Sequence, residues 1–361
     1  MPELIAELEK QEEAEKPKAG QDAEEAEKSH LASLTERPID GKVPGEASKE
    51  AEQKEAAQKT IVEYQQTEAE KSGLKLAYAT FLNGPLHEDE NDNNDNYFVS
   101  CRMLAYQLLH DPVTRTNSTN IKFVVVVTEA VTQSKRDRLT KDGAIIVEVA
   151  SLKSSWIKPK AKRWKDQLTK LRMYEALTMF DRVLFVDSDT LLIRNIDAIF
   201  DDPAAKEQSN QKVAAETRDD EAPGPDTFVF AGNSGSGGLD HPYPPPKGKY
   251  FNGGFVLFKP SKALFDYYVS IANLKGRFDA TYAEQSLLNY AHRREGNFPW
   301  KQVHYDWNIN WPSIKDYDNG IATLHAKFWD DGNNDKGLRD LLLRCKWNME
   351  GYWLGVESKW T

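Results

Sequence analysis

The sequence DRVLFVDSDT at residues 181–190 decides how the rest of the chain is interpreted. Residues 183–186 form a short apolar run, which predicts a strand buried on both faces of a sheet. The run ends in Asp187 and Asp189, separated by Ser188. Ligands bind outside the carboxyl ends of strands in open parallel α/β sheets, and two carboxylates there favour a divalent cation. Taken alone, the same three residues are also typical of a turn.

The composition limits the classes of function. The chain has 361 residues and a formal net charge of -10 at pH 7, and no basic stripe stands out, so we expect no nucleic-acid partner. No apolar run reaches the length of a membrane span, and residues 1–5 lack the pattern of a signal peptide. These features predict a cytoplasmic protein, with the Golgi lumen as the alternative if an N-terminal anchor is missing. Cys101 and Cys345 leave both a reduced compartment and a single bridge open.

The first 72 residues differ in composition from the rest. They are rich in Glu, Lys, Ala and Gln and contain almost no aromatic residue, so residues 1–72 are predicted to be a charged tail that is disordered or partly helical.

Strand and helix patterns alternate after this tail, which predicts a doubly wound α/β sheet. The Gly- and Pro-rich segment at 222–249 is expected to be an irregular loop or lid, and 213–216 a strand. The other predicted elements are strands at 74–81, 121–128, 144–149 and 321–325, and helices at 96–110, 132–141, 164–179 and 336–347.

Several stretches together resemble the family 8 glycosyltransferases, which include glycogenin, over residues 74–329. The matching segments, in order, are AYAT at 77–80, Tyr97, LTKL at 168–171, DSD at 187–189, FNGGFVLF at 251–258, EQSLLN at 284–289 and LHAKFW at 324–329. The resemblance implies that residues 73–361 form one Rossmann-like catalytic domain of the GT-A type, with a mainly parallel mixed sheet. It also implies a retaining transferase that moves a hexosyl group from a UDP-sugar to a glycan or protein acceptor, and it allows a homodimer.

The resemblance implies a metal site made of Asp187, Asp189 and His325, with Asp187 also reaching the ribose. Such a transfer leaves a diphosphate with growing negative charge, and a divalent cation on its oxygens acts as a Lewis acid. An imidazole in an otherwise oxygen-rich set favours Mn2+, with Mg2+ as the alternative.

The resemblance also implies residues that bind the donor. Lys170 matches an active-site lysine near the departing phosphate or the sugar, and Gln285 would lie near the reacting carbon. Glu284 stands where the family usually has Asp, and Lys327 lies in LHAKFW, where the family has Gly-x-Lys-Pro-Trp. The remaining positions are Thr80, Asn83 and Tyr97 for uracil and ribose, Ser188 for the nucleotide, and Asn252 and Gly254 for the sugar.

Two other functions fit part of the sequence. Residues 187–190, DSDT, resemble the nucleophile motif of haloacid-dehalogenase-type phosphatases, but that motif normally follows the first strand of its domain, and FNGGFVLF and EQSLLN have no role in it. An inactive family member that binds a nucleotide sugar as a scaffold is the second alternative. Retention of Asp187, Asp189 and His325 argues against it.

Overall fold

The computed structural model describes residues 66–85, 94–158, 166–330, 332 and 334–358. Most of the predicted tail therefore lies outside the described residues. Its described part contains a short helix, α1 (Glu68–Lys71), which begins with a capping box between Thr67 and Glu70. The carboxylate of Asp201 accepts hydrogen bonds from the backbone N–H groups of Glu68 and Ala69.

The described residues contain twelve strands, seven of which build a central sheet. In chain order the strands are β1 (Leu76–Leu82), β2 (Lys122–Thr128), β3 (Ile145–Val149), β4 (Arg182–Val186), β5 (Thr190–Leu192), β6 (Gln208–Ser209), β7 (Thr227–Phe228), β8 (Phe230–Ser234), β9 (Phe251–Phe258), β10 (Lys301–Gln302), β11 (Ile309–Asn310) and β12 (Thr323–His325). The order in the central sheet is β10-β8-β9-β4-β1-β2-β3. Only β9 runs antiparallel to its neighbours β4 and β8 within this sheet, and the other pairs are parallel. The predicted fold class, α/β with a mainly parallel mixed sheet, is confirmed.

The helices cover the sheet and begin at residues that cap them. Asp95, Thr132 and Ser261 each accept a hydrogen bond from a backbone N–H in the first turn of the helix that follows. The helices after α1 are α2 (Asn96–Leu109), α3 (Gln133–Lys141), α4 (Met173–Ala176), α5 (Lys262–Asn273), α6 (Ala283–Ala291), α7 (Ile314–Asp318) and α8 (Arg339–Glu357).

Both faces of the central sheet are buried because alternate side chains of its strands enter two different hydrophobic clusters. Tyr78 of β1 packs on the face covered by α2, whereas its neighbour Ala79 packs on the face covered by α5. A third cluster lies under α8 and includes Leu324 of β12. The core thus extends beneath the end of β12, where His325 lies.

A second sheet has three strands, and its strand β5 directly follows β4 of the central sheet along the chain. Its order is β11-β12-β5, with β12 parallel to β11 and antiparallel to β5. Because β5 follows β4 after only Asp187, Ser188 and Asp189, this pairing brings a distant part of the chain to the end of β4.

Three local predictions were wrong. The segment 222–249 contains β7 and the central strand β8, because the apolar run from Phe228 to Ala231 is buried in the sheet despite the surrounding Gly and Pro residues. Residues 214–216 form a 3-10 turn instead of a strand. The predicted helix at 164–179 is a 3-10 helix (Gln167–Arg172) followed by α4, and residues 168–171 are buried consecutively, which one face of an α-helix does not allow.

Two expectations from the sequence concern cysteines and membranes. Cys101 and Cys345 are both buried and unpaired, so the possible bridge between them is not formed. Within the described ranges, no helix is both long and apolar enough to cross a membrane.

Candidate active site

The site lies at the carboxyl end of β4, where backbone pairing brings three polar residues together. Thr190, the first residue of β5, is the register partner of His325 at the end of β12. The backbone N–H of Ala326 also donates to the carbonyl of Asp189, at 3.0 Å. Residues more than 130 positions apart therefore meet through strand pairing, and His325 faces the two aspartates.

The side chains of this cluster are close enough to share one ligand. His325 Nε2 lies 3.1 Å from Asp189 Oδ1 and 3.9 Å from Asp187 Oδ2. One ligand atom from each of the three residues lies within 4.8 Å of the other two. Two carboxylates and an imidazole form a donor set that suits a divalent cation.

Gly254 of β9 provides the space in which this cluster forms. Its carbonyl accepts a hydrogen bond of 2.8 Å from the backbone N–H of Asp187. A Cβ at position 254 would lie 2.7 Å from His325 Cε1 and 2.8 Å from Asp187 Oδ2, both too close. Only glycine therefore leaves room for the imidazole and the carboxylate side by side.

The three residues fit a metal ion by their chemistry and by their hydrogen bonding. Among the described residues, the buried His325 Nδ1 has no hydrogen-bond partner. The ligand atoms lie within 4.8 Å of one another, and Gly254 has no Cβ that would separate the imidazole from the Asp187 carboxylate. Asp187, Asp189 and His325 would be the residues that hold the ion.

A lysine and a further carboxylate adjoin the cluster. Lys170 Nζ lies 2.7 Å from Asp187 Oδ1 and 3.7 Å from Glu284 Oε1. Lys170 comes from the 3-10 helix before β4, and Glu284 from the first turn of α6. Ala283, just before Glu284, has a φ of 46°, which is in the left-handed region that side chains other than glycine rarely adopt. Glu284, which lies beside Lys170, thus follows a residue with a strained backbone.

Because these charged groups lie close together, they shift the pKa values of His325, Asp189 and Lys170. Burial is the largest single influence on His325 and lowers its pKa, but the carboxylates of Asp189 and Asp187 together raise that pKa above its ordinary value. Burial likewise opposes ionisation of Asp189, yet His325 and then Lys327 lower its pKa. For Lys170, burial lowers the pKa, and the carboxylates of Asp187 and Glu284 together raise it above its ordinary value.

Glu284 differs from the other carboxylates because burial dominates. Burial raises the pKa of Glu284, and although Lys170 lowers it, the neighbouring Asp187 charge raises it again. The side chain is therefore less readily ionised than a carboxylate in water.

Gln285 and Asn252 are tied to the backbone of β9. Gln285 Oε1 accepts a hydrogen bond of 2.7 Å from the N–H of Gly253, and Asn252 Oδ1 accepts one of 3.0 Å from Gly254. Asn289, one turn after Gln285, bonds both the N–H and the carbonyl of Phe251. The motif EQSLLN thus anchors FNGGFVLF, which explains why the two lie together.

The three residues expected to bind uracil and ribose lie along β1 and α2. Thr80 is fully buried in β1, and its hydroxyl has no hydrogen-bond partner among the described residues. Asn83 Nδ2 donates to Asp166 Oδ2 at 2.9 Å, and its carbonyl accepts from Thr128. These contacts link the ends of β1 and β2 to the start of the 3-10 helix that carries Lys170.

Tyr97, in the first turn of α2, makes its ring contact with Trp329. The ring centroids lie 5.1 Å apart, edge to face. Trp329 ends the motif LHAKFW, so Tyr97 is connected to the segment that carries His325 and Lys327.

Ser188 and Lys327 complete the expected residues. Ser188 is buried; burial raises the pKa of the Cys101 thiol, and Ser188 partly opposes that rise. Lys327 is partly buried, and its positive charge contributes to the low pKa of Asp189. The structure therefore joins Asp187, Asp189, His325, Lys170, Glu284 and Gly254 through direct contacts, while Thr80, Asn83 and Tyr97 contact other residues.

Comparison with curated proteins places the chain in a family. It is 30% identical over 289 residues to uncharacterized protein C5H10.12c of Schizosaccharomyces pombe, covering 72% of this chain and 75% of that protein. It is also 30% identical over 269 residues to uncharacterized protein C4C3.09 of the same organism, covering 67% of this chain and 70% of that protein. The chain belongs to the C5H10.12c family. No protein-family model matches the chain.

Solved structures resemble this C5H10.12c family member only distantly. WbbM, a bifunctional glycosyltransferase, has 13% identity and a TM-score of 0.47, and the match covers 77% of this chain and 51% of WbbM, so the chain spans about half of that protein. Galactosyltransferase LgtC in complex with donor and acceptor sugar analogues has 13% identity, coverage of 76% and 96%, and a TM-score of 0.43. Mouse xyloside xylosyltransferase 1 has 11% identity, coverage of 70% and 97%, and a TM-score of 0.39. Similarity at this level assigns no function.

Sequence reasoning missed several residues that support the site in this C5H10.12c family member. Asp166, the partner of Asn83, carries no motif that would mark it. Trp329 and Asn289 lie inside motifs that were recognised, but their contacts with Tyr97 and Phe251 depend on the tertiary structure. Position within a recognised motif was the one available signal.

Proposed function

We propose that this protein is a metal-dependent retaining glycosyltransferase that moves a hexosyl group from a UDP-sugar to a glycan or protein acceptor. The proposal rests on the resemblance of its motifs to the family 8 glycosyltransferases together with one structural observation. Four of those motifs, separated by up to about 150 residues, converge on the carboxyl end of β4, and their polar side chains touch.

The convergence supports this function because each motif supplies a different requirement of the reaction. DSD and LHAKFW provide Asp187, Asp189 and His325 for the metal. LTKL provides Lys170, whose positive charge lies beside the cluster, where a departing diphosphate would need it. EQSLLN provides Glu284, which lies 3.7 Å from Lys170, and a fifth motif, FNGGFVLF, provides Gly254, which leaves room for the cluster.

In this proposal the bound ion, Mn2+ or Mg2+, supplies Lewis-acid stabilisation of the diphosphate. Lys170 and Lys327 hold its negative charge, and Tyr97 and Thr80 lie on the side expected to hold the nucleoside. Glu284 and Gln285 contact the sugar. We assign no carboxylate nucleophile, since the Glu284 carboxylate is buried and faces Lys170. Attack of the acceptor on the face from which the diphosphate leaves would retain the anomeric configuration.

The experiment that tests this function is hydrolysis of a panel of UDP-sugars by the purified protein. Release of UDP from one donor is expected with Mn2+ and not with EDTA. The variant Asp189→Ala should lose this release by a factor on the order of 100 or more, because a ligand to the Lewis acid is removed. Asp266→Ala is the matched control, since Asp266 lies on an exposed part of α5 and pairs only with Lys262 in the described contacts.

Other outcomes would lead to the two alternatives. Turnover of a simple phosphate ester without release of UDP would contradict the transferase and favour the phosphatase. UDP binding without turnover of any donor or ester would favour the inactive scaffold.

A further inference from the structure

A buried glutamine in α2 binds the strand that follows the two aspartates. Gln107 is 2% exposed. Its Oε1 accepts a hydrogen bond of 2.6 Å from the backbone N–H of Leu192, and its Nε2 donates to the carbonyl of Thr190 at 3.3 Å. Both partners belong to β5. The carboxamide thus uses its acceptor and its donor on the same short strand.

This arrangement replaces a missing neighbour strand. In the three-stranded sheet of the described chain, β5 lies at the edge, with β12 on its other side. Residues i and i+2 of a strand direct their N–H and carbonyl groups to the same side, so Thr190 and Leu192 present a carbonyl and an N–H to the open edge. Unpaired backbone groups at a buried position are costly, and the Gln107 side chain satisfies both.

The position of β5 also determines how far Asp189 lies from His325. Thr190 follows Asp189 directly and is the register partner of His325. Any shift of β5 along or away from β12 would therefore change the separation of Asp189 and His325, which is now 3.1 Å. A side chain that holds β5 from outside acts on that separation without touching either ligand.

We infer that Gln107 is a positioning residue that sets the geometry of the metal cluster by holding β5. The inference rests on the proposed metal site, and it adds a residue that belongs to none of the motifs recognised in the sequence. Hydrogen-bonding partners behind metal ligands typically change metal affinity by 10- to 100-fold when they are removed.

Two substitutions separate this role from simple packing. Gln107→Leu keeps the branched end of the side chain and removes both the acceptor for Leu192 and the donor for Thr190. Gln107→Met keeps the length of the side chain and removes both bonds. Thr114→Val is the matched control, because the Thr114 hydroxyl donates to the backbone carbonyl of Gln107 at 2.7 Å and is also buried, yet it does not bond β5.

The test is Mn2+ affinity, measured by the electron paramagnetic resonance signal of free Mn2+ with variants shown to be folded by thermal unfolding. Both Gln107 variants should bind Mn2+ about 10-fold or more weakly than the wild type, and the bound-ion spectrum should broaden. Thr114→Val should lose stability but keep wild-type affinity. Wild-type affinity in folded Gln107→Leu or Gln107→Met would overturn the inference, as would an equal loss of affinity in Thr114→Val.

A measurement on the wild type covers the case in which neither variant folds. Addition of Mg2+ should slow hydrogen exchange at the Leu192 amide, which donates to Gln107, more than at the Val125 amide in the central sheet. Equal changes at both amides would overturn the inference. A wild type without any metal binding would overturn the metal site itself, whereas normal binding by wild type and Gln107 variants alike would overturn the role of Gln107 alone.

Discussion

Two histidines, one partly and one fully buried, have surroundings of opposite character. His325 lies at the end of β12, with Asp189 at 3.1 Å and Asp187 at 3.9 Å. His292 lies in the aromatic layer beneath α5 and α6, where its ring stacks on Phe230 at 3.5 Å between centroids. There the Nδ1–H group donates to the carbonyl of Phe298, and the Tyr268 hydroxyl bonds Nε2.

Burial opposes the charged form of both rings, but only one ring has anions beside it. Burial lowers the pKa of His325, but the Asp189 and Asp187 carboxylates together raise it above its ordinary value. Burial lowers the pKa of His292 to about 3, because the Phe298 carbonyl that favours its proton has a smaller effect. The same kind of side chain thus lies beside carboxylates in one place and in a neutral core in the other.

The largest expected effect comes from closing the space beside His325. Gly254→Ala places a Cβ within 2.8 Å of His325 and Asp187, so the ring and the carboxylate must separate. We expect Mn2+ affinity to fall on the order of 100-fold, as for changes that misplace metal ligands. Isothermal titration with Mn2+ measures it.

Gly253→Ala is the matched control for this change. A Cβ at 253 would meet Gln285 at 3.5 Å, an ordinary contact distance, and would leave the cluster untouched. If both variants bound Mn2+ like the wild type, Gly254 would not be what makes room for the cluster.

The second prediction concerns His292 and the effect of acid on stability. Its pKa is about 3 in the folded protein and near 6.5 in the unfolded chain, so between these values only the unfolded chain binds the proton. Stability is therefore lost as the pH falls below 6.5, by about 1.4 kcal/mol per pH unit at most. The wild type should lose about 2 kcal/mol from this group between pH 7 and pH 5, and His292→Gln should lack that loss. Urea unfolding at the two pH values measures it.

His304→Gln is the control, because it removes a histidine whose side chain is 57% exposed instead of buried. This variant should keep the pH dependence of the wild type. An unchanged pH dependence in folded His292→Gln would mean that the neutral ring of His292 does not make the protein sensitive to acid.

The smallest expected effect concerns the backbone at Ala283, the residue before Glu284. Ala283 has a φ of 46°, which costs about 1 kcal/mol for a residue with a Cβ and little for glycine. Ala283→Gly and Ala291→Gly, at the first and last residues of the same helix, each remove a buried methyl group, but only Ala283→Gly also relieves the positive φ. The free energy of unfolding of Ala283→Gly should therefore be higher than that of Ala291→Gly by about 1 kcal/mol. An equal loss in the two variants, measured by urea unfolding, would contradict the strain at Ala283.

The two halves of the central sheet differ in how well their strands could be predicted from the sequence. The strands β1, β2, β3 and β4 lie within two residues of their predicted bounds, because each is a β-branched or apolar run bounded by polar residues. In the other half, β8 was missed because its short apolar run lies in a segment rich in Gly and Pro. Local composition dominated that prediction, whereas pairing with β9 determines the structure.

The site shows the same division between local pattern and long-range contact. Asp187, Asp189 and His325 were identified by their motifs, and the structure brings them within ligand distance. Gln107 was not identified, since a glutamine within an amphipathic helix has no sequence pattern that reveals two backbone bonds to another element.

The alternation of strands and helices and the polar residues at the end of β4 could be predicted from the sequence, because they depend on the side-chain period and on neighbours along the chain. The pairing of β12 with β5, the space that Gly254 leaves beside Asp187 and His325, and the low pKa of His292 beside the raised pKa of His325 follow from the tertiary structure. These outcomes depend on distances between residues far apart in the chain, which no local pattern specifies.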